Sequence, residues 1–122
     1  MSLLANIFGG ISSALRTLFT AVKNFLVTVI RGILNFFKEV VTWFKNLRLD
    51  PNKHTPFVAD AKRLKQLIHE APEVNVGIFE GVYNEETEEI EHYKEIKADK
   101  VDAETKKILS NATPDNPIVV LS

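Results

Sequence analysis

The chain of 122 residues contains no cysteine, which excludes disulfide bonds, thiolate metal sites and thiol nucleophiles. Its first 50 residues contain no proline and only two acidic residues, Glu39 and Asp50. They also lack an uncharged window of about 18 residues, the length of a transmembrane helix, because basic residues recur from Arg16 onward. A cleaved secretory signal is not expected, since no basic residue precedes the apolar run. These absences leave a long segment that is both basic and apolar.

An eleven-residue repeat of apolar side chains runs through residues 3–47. The repeat forms five columns, one of which is Leu3, Ala14, Phe25, Phe36 and Leu47. Eleven residues make three turns of about 3.67 residues each, so the period fits an almost straight helix. On that helix the five columns lie side by side in an arc of roughly 130°. The repeat therefore predicts one continuous amphipathic helix over residues 3–47.

Charge divides the chain into two unlike halves. Residues 1–50 carry six Lys or Arg and two acidic residues, a net charge of +4. Residues 51–122 carry nine basic and fourteen acidic residues, a net charge of −5. Between the halves, Asp50, Pro51 and Asn52 favour a turn and disfavour a continuing helix. We therefore expect an amphipathic helix at 1–49, a linker at 50–56 and a small acidic domain at 57–122.

The acidic half alternates between helical and strand patterns. The predicted elements are a helix at 57–71, strands at 74–83 and 88–97, a helix at 102–109 and a strand at 118–121. Pro72 ends the first helix, and Asp102 is placed to cap the second. The last strand is expected beside the hairpin of the other two. The predicted fold class is α+β, a long N-terminal helix followed by a small α-β-β-α-β domain with its helices on one face.

No catalytic or metal-binding constellation is recognisable in the sequence. His54, His69 and His92 are scattered, without metal-site spacing and without an identifiable acidic partner. The predicted hairpin is crowded with glutamates: Glu80, Glu85, Glu86, Glu88, Glu89, Glu91 and Glu95. A solvated face that protects a sheet edge explains them better than a calcium site. We expect no catalytic residue, no metal and no cofactor.

The helix carries the functional information, and the first hypothesis places it on a lipid surface. Its period is similar to that of the lipid-surface helices of synucleins, apolipoproteins and perilipins, a resemblance of pattern over residues 3–47 and not of family. Apolar side chains would insert or pack, while basic side chains would reach lipid headgroups. The candidates for membrane insertion or helix packing are Phe8, Phe19, Phe25, Ile30, Phe36, Phe37, Val40 and Phe44. The candidates for headgroup contact are Arg16, Lys23, Arg31, Lys38 and Lys45.

Two other assemblies fit the same repeat. Several copies of the helix would form a right-handed bundle, which would make the protein a soluble scaffold. Alternatively, the polar residues Ser13, Asn24 and Asn35 would line a pore in a membrane oligomer. A helix folded back on its own domain is disfavoured, because about 20 apolar side chains exceed what about 70 residues can cover.

The favoured hypothesis is a non-enzymatic anchoring or assembly protein, peripheral on the cytoplasmic face of a membrane. Its expected partners are an anionic lipid surface, further copies of itself and a protein held by the acidic domain. Nucleic acid is not expected, because the basic residues lie opposite an apolar face and the other half is acidic.

Overall fold

The computed structural model describes residues 10, 11, 13–18, 27–61, 63, 76–112 and 118–121. Five strands form one sheet: β1 (Val27–Leu34), β2 (His54–Asp60), β3 (Val76–Asn84), β4 (Glu89–Val101) and β5 (Ile118–Val120). A π-helical turn (Phe36–Val41) continues into α1 (Thr42–Leu47), and α2 spans Ala103–Leu109. Residues 10, 11 and 13–18 are also helical. The combination of helices with a mixed sheet confirms the α+β class.

The sheet has the strand order β1-β4-β3-β2-β5. β1 runs parallel to β4, and the other neighbouring strands are antiparallel. β3 and β4 form the predicted hairpin, where the Asn84 side-chain oxygen accepts the N–H groups of Glu86 and Thr87 at 2.8 and 3.1 Å. β5 pairs with β2 and not with the hairpin, so its predicted position was wrong.

Helices cover both faces of this sheet, because successive strand residues point to opposite faces and both sets are apolar. Phe57 and Phe79 point to the face covered by Ile11 and Leu15 of the N-terminal helical residues. The second face buries Leu34, Phe36, Val40, Val58, Ile78, Ile96, Ala98 and Val119 in a second cluster. The prediction of helices on a single face is therefore wrong for the described residues.

The continuous helix predicted over residues 3–47 is interrupted by β1. Five of its eight residues are β-branched, and such side chains pack well on a pleated sheet but lose rotamer freedom in a helix. Gly32 has a φ of 121°, which a residue with a side chain rarely adopts, and its N–H donates to Asp99 Oδ2 at 2.9 Å. The helix prediction is therefore wrong for Val27–Leu34.

The boundaries predicted around residue 50 also differ from the structure. Residues 54–56, assigned to the linker, begin β2. Phe57, Val58 and Ala59 continue it, and each of these residues is at most 1% exposed. A strand buried on both faces shows a continuous apolar run, which resembles part of a helix in sequence. Ala61 and Arg63 are helical, whereas 62 and 64–71 of the predicted helix lie outside the described residues. Because β1 pairs with β4, one sheet joins the predicted segments 1–49 and 57–122.

Asp102 caps α2 as predicted and also holds the end of β1. Its Oδ1 accepts the Thr105 N–H at 2.9 Å, and its Oδ2 accepts the Phe36 N–H at 3.1 Å. Its own N–H donates to the Leu34 carbonyl at 3.0 Å. Burial acts to raise the pKa of Asp102, but the hydrogen bonds from Thr105 and Phe36 outweigh it and lower the pKa below its ordinary value. This carboxylate therefore fixes the π-helical turn against the start of α2.

Candidate functional site

Four large apolar side chains are exposed in the described part of the chain, and all belong to residues 27–37. They belong to Val27, Val29, Ile33 and Phe37, which we call the exposed strip; these residues are 39%, 66%, 61% and 60% exposed. The first three lie on alternate positions of β1, whose intervening residues turn toward the protein. Exposed apolar residues scattered singly are ordinary, whereas a group of them marks an interaction surface.

Basic side chains lie within and beside the exposed strip. Arg31 is exposed on β1 between Val29 and Ile33, and Lys38 follows Phe37 at once. Residues 27–38 contain no acidic residue. This combination of exposed apolar groups with cations suits an anionic interface, because basic side chains pair with phosphates while the apolar groups leave water.

The structure distributes the predicted insertion or packing residues between the core and the surface. Phe36 and Val40 are buried, and Ile30 and Phe44 pack half-buried on the same cluster. Phe37 alone among these five is exposed, and its ring contacts Phe36 edge-on with centroids 5.9 Å apart. Phe8, Phe19 and Phe25 lie outside the described residues. The repeat thus selected both buried and exposed residues, because one side of the π-helical turn packs on the sheet with Phe36 and Val40 while Phe37 lies on its other side.

The predicted headgroup-contacting residues are placed more uniformly. Arg16, Arg31, Lys38 and Lys45 are all exposed, whereas Lys23 lies outside the described residues. Arg31 and Lys38 adjoin the exposed strip, and Lys45 lies further along the chain in α1. Sequence reasoning did not nominate Val27 and Ile33, although the alternation of Val27, Val29 and Ile33 along a β-branched run could have indicated a strand with one outward face.

A polar cluster lies at the hairpin end of the sheet. His54 Nδ1 accepts the Asp50 N–H at 2.9 Å, so the ring proton is on Nε2, which donates to Glu91 Oε2 at 3.0 Å. Asn84 Nδ2 donates to Glu91 Oε1 at 2.6 Å. The hydrogen bond from Asn84, with that from His54, lowers the pKa of Glu91 below its ordinary value.

This cluster corrects the view that His54 has no acidic partner. Glu91 lies 37 residues away in sequence, and only the pairing of β2, β3 and β4 brings it to His54. Because Nδ1 already accepts a backbone hydrogen bond and Nε2 already donates, neither nitrogen is available as a general base in this arrangement. The cluster therefore fixes the β2 start to the hairpin.

A buried carboxylate lies on the sheet face beneath α1. Glu80 is 0% exposed, and its Oε1 is 3.6 Å from Lys94 Nζ on the neighbouring strand. Lys94 Nζ also lies 5.5 Å from the centroid of the Trp43 ring. Among the described residues no group donates a hydrogen bond to either Glu80 oxygen. Burial raises the pKa of Glu80 to about 8 although Lys94 opposes the rise, so this residue does not belong to the predicted solvated face.

Two classes of feature are missing from the part of the chain that the structure describes. No three His, Asp or Glu side chains there are grouped so that they could hold a metal ion. None of the helices formed by those residues is long and apolar enough to span a bilayer. Comparisons with protein families, curated proteins and solved structures found no match to this chain.

Proposed function

We propose that this protein is a non-enzymatic anchoring and assembly protein that attaches to an anionic lipid surface through the exposed strip. The observation that carries the proposal is that all the large apolar side chains exposed among the described residues lie within residues 27–37, beside Arg31 and Lys38. In contact with a bilayer, Val29, Ile33 and Phe37 enter the interface while the two basic side chains reach headgroup phosphates. The acidic hairpin stays in water, where it is free to hold a protein partner.

Self-assembly is a second candidate because of the position of β1. Among the described strands β1 lies at one edge of the sheet, and an edge strand offers unpaired backbone groups to another strand. A second copy paired there would place its own strand beside Val27, Val29 and Ile33, without lipid. The helical bundle considered from the sequence is not the arrangement proposed, because Val27–Leu34 is a strand.

Flotation of the full chain with vesicles of phosphatidylcholine and phosphatidylserine tests the first candidate. The variant V29S/I33S/F37S removes apolar contact without adding charge. Burying the exposed parts of these three side chains contributes about 3 kcal/mol, so vesicle binding should weaken roughly a hundredfold. Unchanged binding by a folded variant would contradict the proposal.

The electrostatic part of the proposal has a matched control. R31Q/K38Q should weaken binding to anionic vesicles and reduce its salt dependence. K106Q/K107Q removes the same charge from exposed positions on α2 and should leave binding unchanged. Light scattering without lipid separates the candidates: a discrete oligomer that V29S/I33S/F37S dissociates, together with no flotation of the wild type, selects self-assembly.

A further inference from the structure

An apolar groove lies between the π-helical turn with α1, the C-terminal end of α2, and β5. We call it the α1 groove; its volume is about 440 Å³, and its walls include Phe36, Val41, Phe44, Ile108 and Leu121. Eight of its ten lining residues are apolar, and the other two are Lys45 and Asn111. Its volume lies within the range of small-molecule sites, about 300–1,000 Å³, which are mostly apolar with few polar groups.

The lining of the α1 groove distinguishes it from two other cavities in the described part of the chain. A cavity of about 440 Å³ beside the hairpin turn has five polar or charged lining residues, including Glu88 and Glu89, and three apolar ones, Ala14, Leu18 and Ile90. Another, of about 290 Å³, is lined mainly by polar and charged residues near α2. The α1 groove is therefore the one of these three that suits an apolar chain.

Lys45 indicates which polar group a ligand of the α1 groove should carry. Its side chain is exposed, it lines the groove, and no carboxylate of the described residues lies within ion-pair distance of it. Asn111, the other polar residue of the lining, supplies an amide that can donate a hydrogen bond to an oxygen. A cation and an amide donor in an apolar lining are complementary to a carboxylate on a hydrocarbon chain.

We propose that the α1 groove binds a medium-chain fatty acid, with its hydrocarbon chain against Phe36, Val41 and Phe44 and its carboxylate beside Lys45. This inference goes beyond the proposed function, because it needs no bilayer and uses a separate set of side chains. The groove and the exposed strip meet at Phe36 and Phe37, whose rings are in contact. The test therefore needs variants that alter the α1 groove or the exposed strip but not both.

The test is titration of the full chain with dodecanoate below its micellar concentration, followed by the methyl NMR signals of Val41, Ile108 and Leu121. We expect saturable shifts confined to the groove residues. K45Q should weaken dodecanoate binding about two- to fivefold, the effect of one exposed ion pair, and leave binding of the uncharged dodecanol unchanged. K38Q is the matched control and should leave both ligands unaffected.

A second variant tests the groove itself. V41F adds a ring to a half-buried lining position and should weaken the binding of both dodecanoate and dodecanol at least tenfold. F37S, in contrast, should weaken vesicle binding and leave the binding of both ligands unchanged. The inference is overturned if the wild type shows no saturable binding or if the shifts spread over the whole surface. It is also overturned if V41F and K45Q bind dodecanoate as the wild type does. None of these results decides whether the exposed strip binds vesicles, which the F37S experiment tests independently.

Discussion

Replacing Glu80 by Gln should change how the stability of this protein depends on pH. Glu80 is fully buried, and its pKa is raised from 4.5 to about 8. A carboxyl group whose pKa is higher in the folded protein binds protons more tightly when folded. Its contribution to stability is therefore complete below about pH 4.5 and is lost progressively as the pH rises to about 8. Gln has nearly the same shape and no charge to bury, so this contribution disappears in the variant.

The size of the effect follows from the two pKa values. The interval from 4.5 to about 8 corresponds to about 5 kcal/mol of unfolding free energy, of which about 4 kcal/mol falls between pH 5 and pH 9. Titrating groups distant from Glu80 act on both proteins and cancel in the difference between them, whereas Lys94, its ion-pair partner, is part of the effect measured. Relative to the wild type, E80Q should therefore gain about 4 kcal/mol in stability between about pH 5 and pH 9.

Urea denaturation of both proteins at a series of pH values measures this difference. E86Q is the control, because Glu86 is exposed in the hairpin turn and its carboxylate has no burial to oppose. The difference between E86Q and the wild type should therefore change much less across that interval than the difference between E80Q and the wild type. If the curves of E80Q and the wild type run parallel from about pH 5 to pH 9, Glu80 is not held protonated by burial and the reasoning is refuted.

Three further perturbations test the packing and the polar cluster. D102A removes the cap of α2 and should cost about 1–2 kcal/mol in urea denaturation, whereas E104A in the same first turn should cost less. G81A places a methyl group 2.8 Å from Phe57 Cζ, so it should lower the free energy of unfolding by about 1–3 kcal/mol. An unchanged midpoint of urea denaturation would show that the Phe57 ring moves aside without cost. Because the pKa of Glu91 is lowered, the stability that Glu91 contributes is lost as the pH falls through that pKa. The melting temperature of E91Q should therefore fall less steeply with decreasing pH than that of the wild type.

The hairpin and the capped helix could be read from the sequence because their signals are local. Asp102 is followed by Thr105, whose N–H it accepts, and Asn84 begins a turn that its own side chain closes. Each of these bonds joins residues at most three positions apart, so a short stretch of sequence contains both partners. The predicted elements at 88–97 and 102–109 correspond to β4 and α2 for the same reason.

The candidate surface was only partly predictable. Phe37, Arg31 and Lys38 were nominated from the repeat and are exposed together, but Phe36 and Val40 were nominated by the same argument and are buried. An apolar side chain has the same reason to leave water in a core as in a bilayer. A periodic pattern therefore identifies a face to be covered but not what covers it.

By itself, the sequence determined the α+β class, the hairpin, the cap at Asp102 and the basic, apolar character of the first half. Tertiary structure alone decided that β1 pairs with β4 and that Glu80 is buried. β1 gains its backbone hydrogen bonds from β4, which lies about 70 residues further along the chain. Glu80 is buried because α1 and the π-helical turn cover the sheet face to which it points. Such outcomes depend on which distant segments meet, and no local pattern contains that information.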